Sequence, residues 1–501
     1  MSQEERLDAT DDFPTNKEGE LTKTLLFATL LSTFGSSLQY GYNISVIYFP
    51  AKFMKSFYNE TYRERNNINM DQEILSFLWG LTVSFFPAGA ICGSLLVGPL
   101  VDNCGRKGTL LANDALVILS AVLLGSSRAI HSYELIIVGR LIIGGCVGVA
   151  YSVVPMYVME LAPPNLRCVL GMMPHLFITF GSLLACLLGL HNNLGTEEGW
   201  PILLGLIAFP ALFQMILLPF FPESPRYLLI QKGNEEEARQ ALQKLRGWED
   251  VEDEMEELHL EDATEAAEKN MDVYKIMEAD GLRWHLTTIV ILMGGQQLSG
   301  INAAQHYSEQ IYFSLGFGEE NSPYVSLLLT GTLMFIIIMA MCIVETIGPR
   351  NLLLMGFGIC SVASIFLAMS IELQKTIPWM DELSAAFLTL FLLGQSVGPD
   401  PVTNVLVSEL FLQSSRSTAF VITGTLHWTC KLLFTLVYLH VENHVEPYSF
   451  IVCWPVCIAS FVFLNRRIPD IRNKTFLDIQ RIVALHMARR ILMKSLVVPN
   501  Y

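Results

Sequence analysis

Residues 294 to 302 read Gly294-Gly295-Gln296-Gln297-Leu298-Ser299-Gly300-Ile301-Asn302 and follow a stretch, 286–293, that is almost wholly apolar. Three carboxamides and a hydroxyl in such a run cost free energy unless other groups donate to them and accept from them. They must therefore face a protein interior or a wet cavity. On a helix Gln296, Ser299 and Asn302 stand at i, i+3 and i+6 with Gln297 beside them, so one face carries neutral donors and acceptors. That face suits a neutral polyol, and the same amides would also serve as hydrogen-bonding glue between helices. Gly294, Gly295 and Gly300 allow a ligand or a neighbouring helix close to the backbone and let the helix bend or open. The sequence shows no metal-ligand cluster, phosphate-binding glycine loop or activated nucleophile, so no metal, cofactor or enzymatic activity is expected.

The element that carries these groups has many companions. The 501 residues are 52% hydrophobic and 16% charged, with a mean hydropathy of +0.42, which is not a soluble composition. A bilayer span takes ~20 apolar residues, and twelve stretches qualify: 24–48, 75–100, 109–127, 133–155, 169–190, 201–221, 285–313, 324–346, 352–373, 384–411, 417–440 and 447–465. The expected fold class is an all-α membrane protein of twelve transmembrane helices, with little chain left for a soluble domain. Its divisions are a tail at 1–23, a six-helix bundle at 24–221, a linker with helices at 222–283, a second bundle at 284–465 and a tail at 466–501.

Charge fixes the expected orientation. The net charge is −16, and 222–283 alone holds 18 acidic and 8 basic residues, a pattern of solvated faces that excludes nucleic acid as a partner. Basic residues recur at Arg106, Lys107, Arg167, Arg350 and Arg416, in 222–283 and in the tail, all on one side if twelve helices alternate. The positive-inside rule makes that side cytoplasmic and puts both termini there; Lys52, Lys55, Arg63 and Arg65 in the 50–74 loop pull mildly the other way. Residues 1–20 lack a signal peptide's basic start and apolar core, so the first span is expected to stay as an anchor. The ten cysteines lie mostly in or beside spans, and no disulfide framework is implied. Asn59-Glu60-Thr61 is a glycosylation triplet in the outer loop, whereas those at Asn43 and Asn473 are inaccessible in this topology. In the first span Gln39 and Tyr40 lie deep enough to line a cavity, while Tyr42 and Asn43 also fit a headgroup interface.

The chain repeats itself at about 247 residues. Asp102-x-x-Gly105-Arg106-Lys107 has a weaker echo in Glu345-x-x-Gly348-Pro349-Arg350, 243 residues on. Glu160 and Arg167 return as Glu409 and Arg416 at an offset of 249, and Pro222-Glu223-Ser224-Pro225-Arg226 returns as Pro469-Asp470-Ile471-Arg472 at 247. Two six-helix halves related in this way enclose a substrate site near mid-membrane. Arg106, Glu160, Arg167, Glu223, Arg226, Glu345, Arg350, Glu409 and Arg416 are then candidates for gating ion pairs that hold the cytoplasmic side closed, against a simpler role in fixing topology.

From about Leu21 to Phe476 the chain resembles the sugar porter family of the major facilitator superfamily. The likeness rests on Gly105-Arg106-Lys107, Pro222 to Arg226, Gln296 to Asn302, Gly398-Pro399 and His427-Trp428, and Met293-Gly294-Gly295 is similar to the fructose-carrying branch of the facilitative hexose carriers. The resemblance implies a major facilitator fold with a small cytoplasmic helical cap at 230–265, and a sugar site formed by Gln296, Gln297, Asn302, Trp428 and Tyr40. His175 and Gln395 stand where relatives have a sugar-binding glutamine and a histidine, and His427 precedes the tryptophan; all three join the expected substrate-binding set. Other positions depart further: relatives' helix-eight asparagine is absent, the tyrosines after Asn302 become Gln305 and His306 ahead of Tyr307, and Asp400 and Lys431 bring charge into the spans. A charge at mid-membrane costs ~3 kcal/mol, so these two are expected to pair or at least to face the cavity.

The reading that follows is facilitative, uniport transport of a hexose by alternating access, fructose-like more than glucose, in the plasma membrane. No acid lies in the first span, where proton-coupled relatives keep one, which leaves proton coupling a minor reading. The altered pocket keeps open a carrier of another organic solute such as urate, or a non-transporting sensor. Expected partners are a small-molecule sugar and the lipid bilayer; the sequence assigns no oligomeric state.

Overall fold

A computed structural model describes residues 19–265, 280–302, 304, 308, 311, 322–374, 376–377, 379–441, 448–468 and 481. Every regular element among them is helical. The expectations for the repeat at Pro469 to Arg472, for Gln305, His306 and Tyr307, and for the outer parts of both tails lie outside the described residues.

In the first half, α1 (Lys23–Ser32) begins at Thr22, whose hydroxyl accepts from the Leu25 amide, and passes through a wide π-helical turn, Thr33–Ser37, into α2 (Leu38–Ser45). The 50–74 segment, read from the sequence as a loop, contains a helix, α3 (Ala51–Asn66). Met54, Phe57, Tyr58 and Thr61 form its buried i, i+3, i+4, i+7 face, a periodicity too short and too charged around it to count as a span. α4 (Gln72–Ser126) holds two spans in one run, bent at Gly105, whose φ of 76° is natural only to glycine. α5 (Glu134–Leu161), α6 (Arg167–Leu188), α7 (Trp200–Gly205) and α8 (Ala208–Leu217) complete the half. α4 and α5 pack backbone to backbone: a Cβ on Gly148 would stand 2.2 Å from the Ala90 carbonyl, so only a glycine lets these spans approach so closely.

The polar linker folds as a cap. α9 (Glu235–Arg246) starts at Asn234, whose side chain accepts from the Glu237 amide, and ends at Gly247 with φ 78°. α10 (Glu252–Glu265) lies against it around Leu242, Val251, Met255 and Leu258. The cap is fastened to the bundle through Arg246, which pairs with Glu254 at 2.7 Å and donates to the Leu161 carbonyl at 3.0 Å.

The second half runs α11 (Asp280–Gln296), α12 (Ser322–Ile347), α13 (Pro349–Leu373), α14 (Met380–Val397), α15 (Pro399–Leu410), α16 (Gln413–Val441) and α17 (Tyr448–Arg467). Seven helices among the described residues are long and apolar enough to cross a membrane by length and composition, and α4 accounts for two spans. The first, seventh and tenth spans are broken instead: at Thr33–Ser37, at the π-helical turn Gln297–Ile301 and at Gly398 between α14 and α15. Broken backbone survives in a bilayer only where it is buried in protein or lines a cavity, so these breaks mark the middle of the molecule. Outward-facing Phe220 and Leu328 are highly exposed, as lipid-facing side chains are. One apolar core joins the halves, with Val154, Tyr157 and Met159 beside Val405, Leu406 and Phe420.

Candidate functional site

The seventh span does not stay a regular helix through its amides. Beyond Gln296 the chain widens into the π-helical turn, and Gly300 takes φ 104°. The extra residue in the turn splits the face expected from i, i+3, i+6 spacing. Gln296 Nε2 donates to Asp400 Oδ1 at 2.9 Å, Gln297 Nε2 lies 2.9 Å from His427 Nδ1, and Asn302 Nδ2 donates to Gln297 Oε1 at 3.3 Å. Ser299 turns away from them and accepts from Gln395 Nε2 at 2.6 Å. Gln395, expected among the substrate-binding residues, is thereby fully buried; it braces the seventh span against the tenth, because the widened turn brings the Ser299 hydroxyl to it.

Aromatic and basic groups gather on the other wall. Tyr40 Oη lies 2.9 Å from His427 Nε2 and accepts from Lys431 Nζ at 2.8 Å. Trp428 is sealed against Tyr40 and Phe86, with ring centroids 4.9 and 5.8 Å away, and Lys431 Nζ stands 5.8 Å over its ring. Asp400 and Lys431 make no contact ion pair; Gln296 holds the first and Tyr40 the second, and the two charges interact only across the space between. Asp400 adjoins Pro401 and Lys431 bonds Tyr40, two residues that line a cavity. His175 lines that cavity with Ser36, Tyr40, Tyr151, Pro401 and Asn404.

Tyr151 and Asn404 are lining residues that motif reading passed over. The Tyr151 ring stacks on His427 at 4.4 Å with its hydroxyl 3.3 Å from Nδ1. Asn404 follows Asp400 by one helical turn, and its Oδ1 is buried with no partner among the described residues. The available signal was polarity inside a span. Tyr40 reaches this wall, whereas Gln39 and Tyr42 donate to the Ile207 and Leu203 carbonyls and tie the first span to the sixth.

A second cluster, of buried charges, lies beside the cap. Glu160 receives Arg106 Nη2 at 3.1 Å, Arg416 Nη1 at 3.1 Å and the Ser224 hydroxyl, and all three charged side chains are fully buried. Arg106 belongs to the first half and Arg416 to the second, so one carboxylate bridges the two. The repeated pair completes an exchange: Arg167 of the first half interacts with Glu409 of the second, whose Oε1 also takes the Cys168 thiol at 3.8 Å. The remaining charged candidates do other work. Glu223 accepts from the Lys107 amide at 3.0 Å and caps the helix restarting after Gly105, a role its position opposite that bend imposes. Arg226 reaches Glu261 at 3.1 Å and Glu257 at 3.7 Å and docks the cap; burial lifts the Glu257 carboxyl above its ordinary value while Arg226 and Arg167 pull it down. Glu345 is exposed, and Arg350 donates to the Asn465 carbonyl and side chain within its own half. The echoed loop thus supplies no bridge between halves among the described residues: Pro349 is buried at the start of α13, and Arg350 turns to Asn465.

Asn59 is half-buried, with Oδ1 accepting from the Met70 amide at 2.9 Å, and Thr61 of the same triplet is buried.

The profile of the family described as sugar (and other) transporter matches residues 28–483. The chain belongs to that family. It is 47% identical over 468 residues to rat solute carrier family 2, facilitated glucose transporter member 5, covering 93% of each protein. It is 45% identical over 469 residues to the human member 7, covering 94% of this chain and 92% of that one. Among solved structures, the major facilitator superfamily proton:xylose symporter XylE bound to 6-bromo-6-deoxy-D-glucose superposes with a TM-score of 0.81 at 21% identity, over 92% of this chain and 100% of that one. The family member is thus a multi-pass membrane protein with the twelve-helix, two-half fold of that superfamily.

Proposed function

We propose that this family member carries a neutral hexose, fructose-like more than glucose, down its gradient by alternating access, with no cofactor. The carrying observation is the bridge through Glu160: a carboxylate that binds one arginine from each half beside the cap, in a molecule whose mid-span cavity is lined by Tyr40, Tyr151, His175 and Asn404. Opening that side requires Glu160 to leave Arg416 and Arg167 to leave Glu409. Facilitated glucose transporters at 45–47% identity support the solute class and the uniport mode.

Within this reading Gln296, Gln297 and Asn302 bond sugar hydroxyls, Trp428 and Tyr40 face the ring's apolar surface, and His175, His427 and Asp400 complete the lining. Gln395 positions Ser299 and does not touch sugar. The cap side is cytoplasmic with both termini, the divisions at 24–221 and 284–465 move as the two rocking bodies, Asn59 faces outside and takes a glycan during insertion, and the membrane is the plasma membrane. Uptake of radiolabelled fructose, glucose and urate by purified protein in liposomes tests the proposal. Saturable fructose entry exceeding the other two is expected. Liposomes that take up none of them would end the carrier reading, and preference for urate would replace the hexose.

A further inference from the structure

Tyr40 and Asn404 line the cavity, and the groups packed around each are unlike. Around Tyr40 the donors outnumber the acceptors. Lys431 carries three N–H groups and uses one on Tyr40 Oη, and among the described residues no carboxylate makes a contact ion pair with it. With Gln297 Nε2 donating to His427 Nδ1, the imidazole holds its proton on Nε2 and also donates to Tyr40 Oη. The phenol then receives two donors and keeps its own O–H to give. Trp428 Nε1 adds a buried N–H with no acceptor among the described residues. Lys431 itself is half-buried.

Around Asn404 the acceptors are in surplus. Asp400 uses Oδ1 on Gln296, while Gln296 Oε1 and Asn404 Oδ1 are buried without donors among the described residues. A ligand that matches both sets carries an anion at one extremity and hydroxyl donors along the rest. A neutral hexose satisfies the acceptors and leaves the ammonium, already in a costly mid-span position, with a phenol and the Trp428 ring and no anion.

Building on the hexose reading of the same cavity, we propose that it also takes polyhydroxy monocarboxylates, the aldonates and uronates, with the carboxylate on Lys431 and the hydroxyls on Asp400, Asn404 and the seventh-span amides. Lys431 is the residue that sets this selectivity. Asp400 opposes it through space and keeps the affinity moderate.

The test uses the full chain in liposomes, with labelled D-fructose and labelled D-gluconate, and with D-glucuronate, sorbitol and glucosamine as competitors. Gluconate should enter and compete about tenfold better than sorbitol, the same skeleton without the charge, as a charge-assisted bond allows. An inside-positive potential should speed gluconate entry and leave fructose entry unmoved. Lys431→Gln should lower the ratio of gluconate to fructose affinity about tenfold, Lys431→Arg should hold it, and Asp400→Asn should raise it; gel-filtration profile and melting temperature confirm that each variant is folded. Fructose uptake with no gluconate entry or competition overturns this inference and leaves the hexose reading standing. Gluconate entry without fructose entry does the reverse. Glucosamine competing better than gluconate, or an unchanged ratio in Lys431→Gln, also overturns it.

Discussion

Glu160 with Arg167 and Glu409 with Arg416 are copies in the sequence and partners across the interface, each acid facing the other copy's arginine. Their surroundings differ. Glu160 is saturated by Arg106, Arg416 and Ser224, whereas Glu409 has a thiol at one oxygen and no hydrogen-bond partner among the described residues at the other. The loops that should back them differ in the same sense, since Arg106 is fully buried on its Glu160 and Arg350 only touches Asn465. The duplicated fold has therefore gathered more partners on one of its two acids. Removing one partner of a buried ion pair costs far more than the intact pair contributes, because it strands a charge, and this rule ranks the tests.

Glu160→Gln should have the largest effect: it strands Arg106 and Arg416 together, costing about 3–5 kcal/mol, read as a lowered melting temperature and as new labelling of cap-side cysteine probes. Unchanged labelling would remove the gate. Arg416→Ala should open the same side with a smaller stability loss, since Arg106 still compensates Glu160, and accessibility equal to the unaltered protein would break the comparison. Gly300→Ala tests the widened turn; a φ of 104° and a Cβ 3.1 Å from Cys453 predict a loss of about 1–3 kcal/mol and weaker sugar affinity. Arg350→Ala should change melting and transport least, within about 0.5 kcal/mol. An effect as large as that of Arg416→Ala would mean that the second loop gates after all.

Much of this was legible in the residues. Apolar runs of span length, the offset near 247 and the charges at span ends announce twelve helices in two halves, because hydrocarbon admits few other solutions for a chain's polar backbone. Tyr40, His427 and Gln297 declare themselves by polarity in the wrong solvent. What did not follow was who meets whom. Gln395 looked like a lining residue and is sealed on Ser299; Asp400 and Lys431, expected to pair or to face the cavity, bond Gln296 and Tyr40; Glu223 looked like half of an ion pair and caps a helix.

Sequence by itself determined the spans, the duplication and the kinds of polar group buried among them, since these depend on composition and period alone. The tertiary structure decided the pairings. A π-helical turn at Gln297–Ile301 and breaks at Gly105 and Gly398 rotate whole helix segments; the partner of each buried group then depends on that rotation and on close helix approach, which no periodicity along one chain encodes.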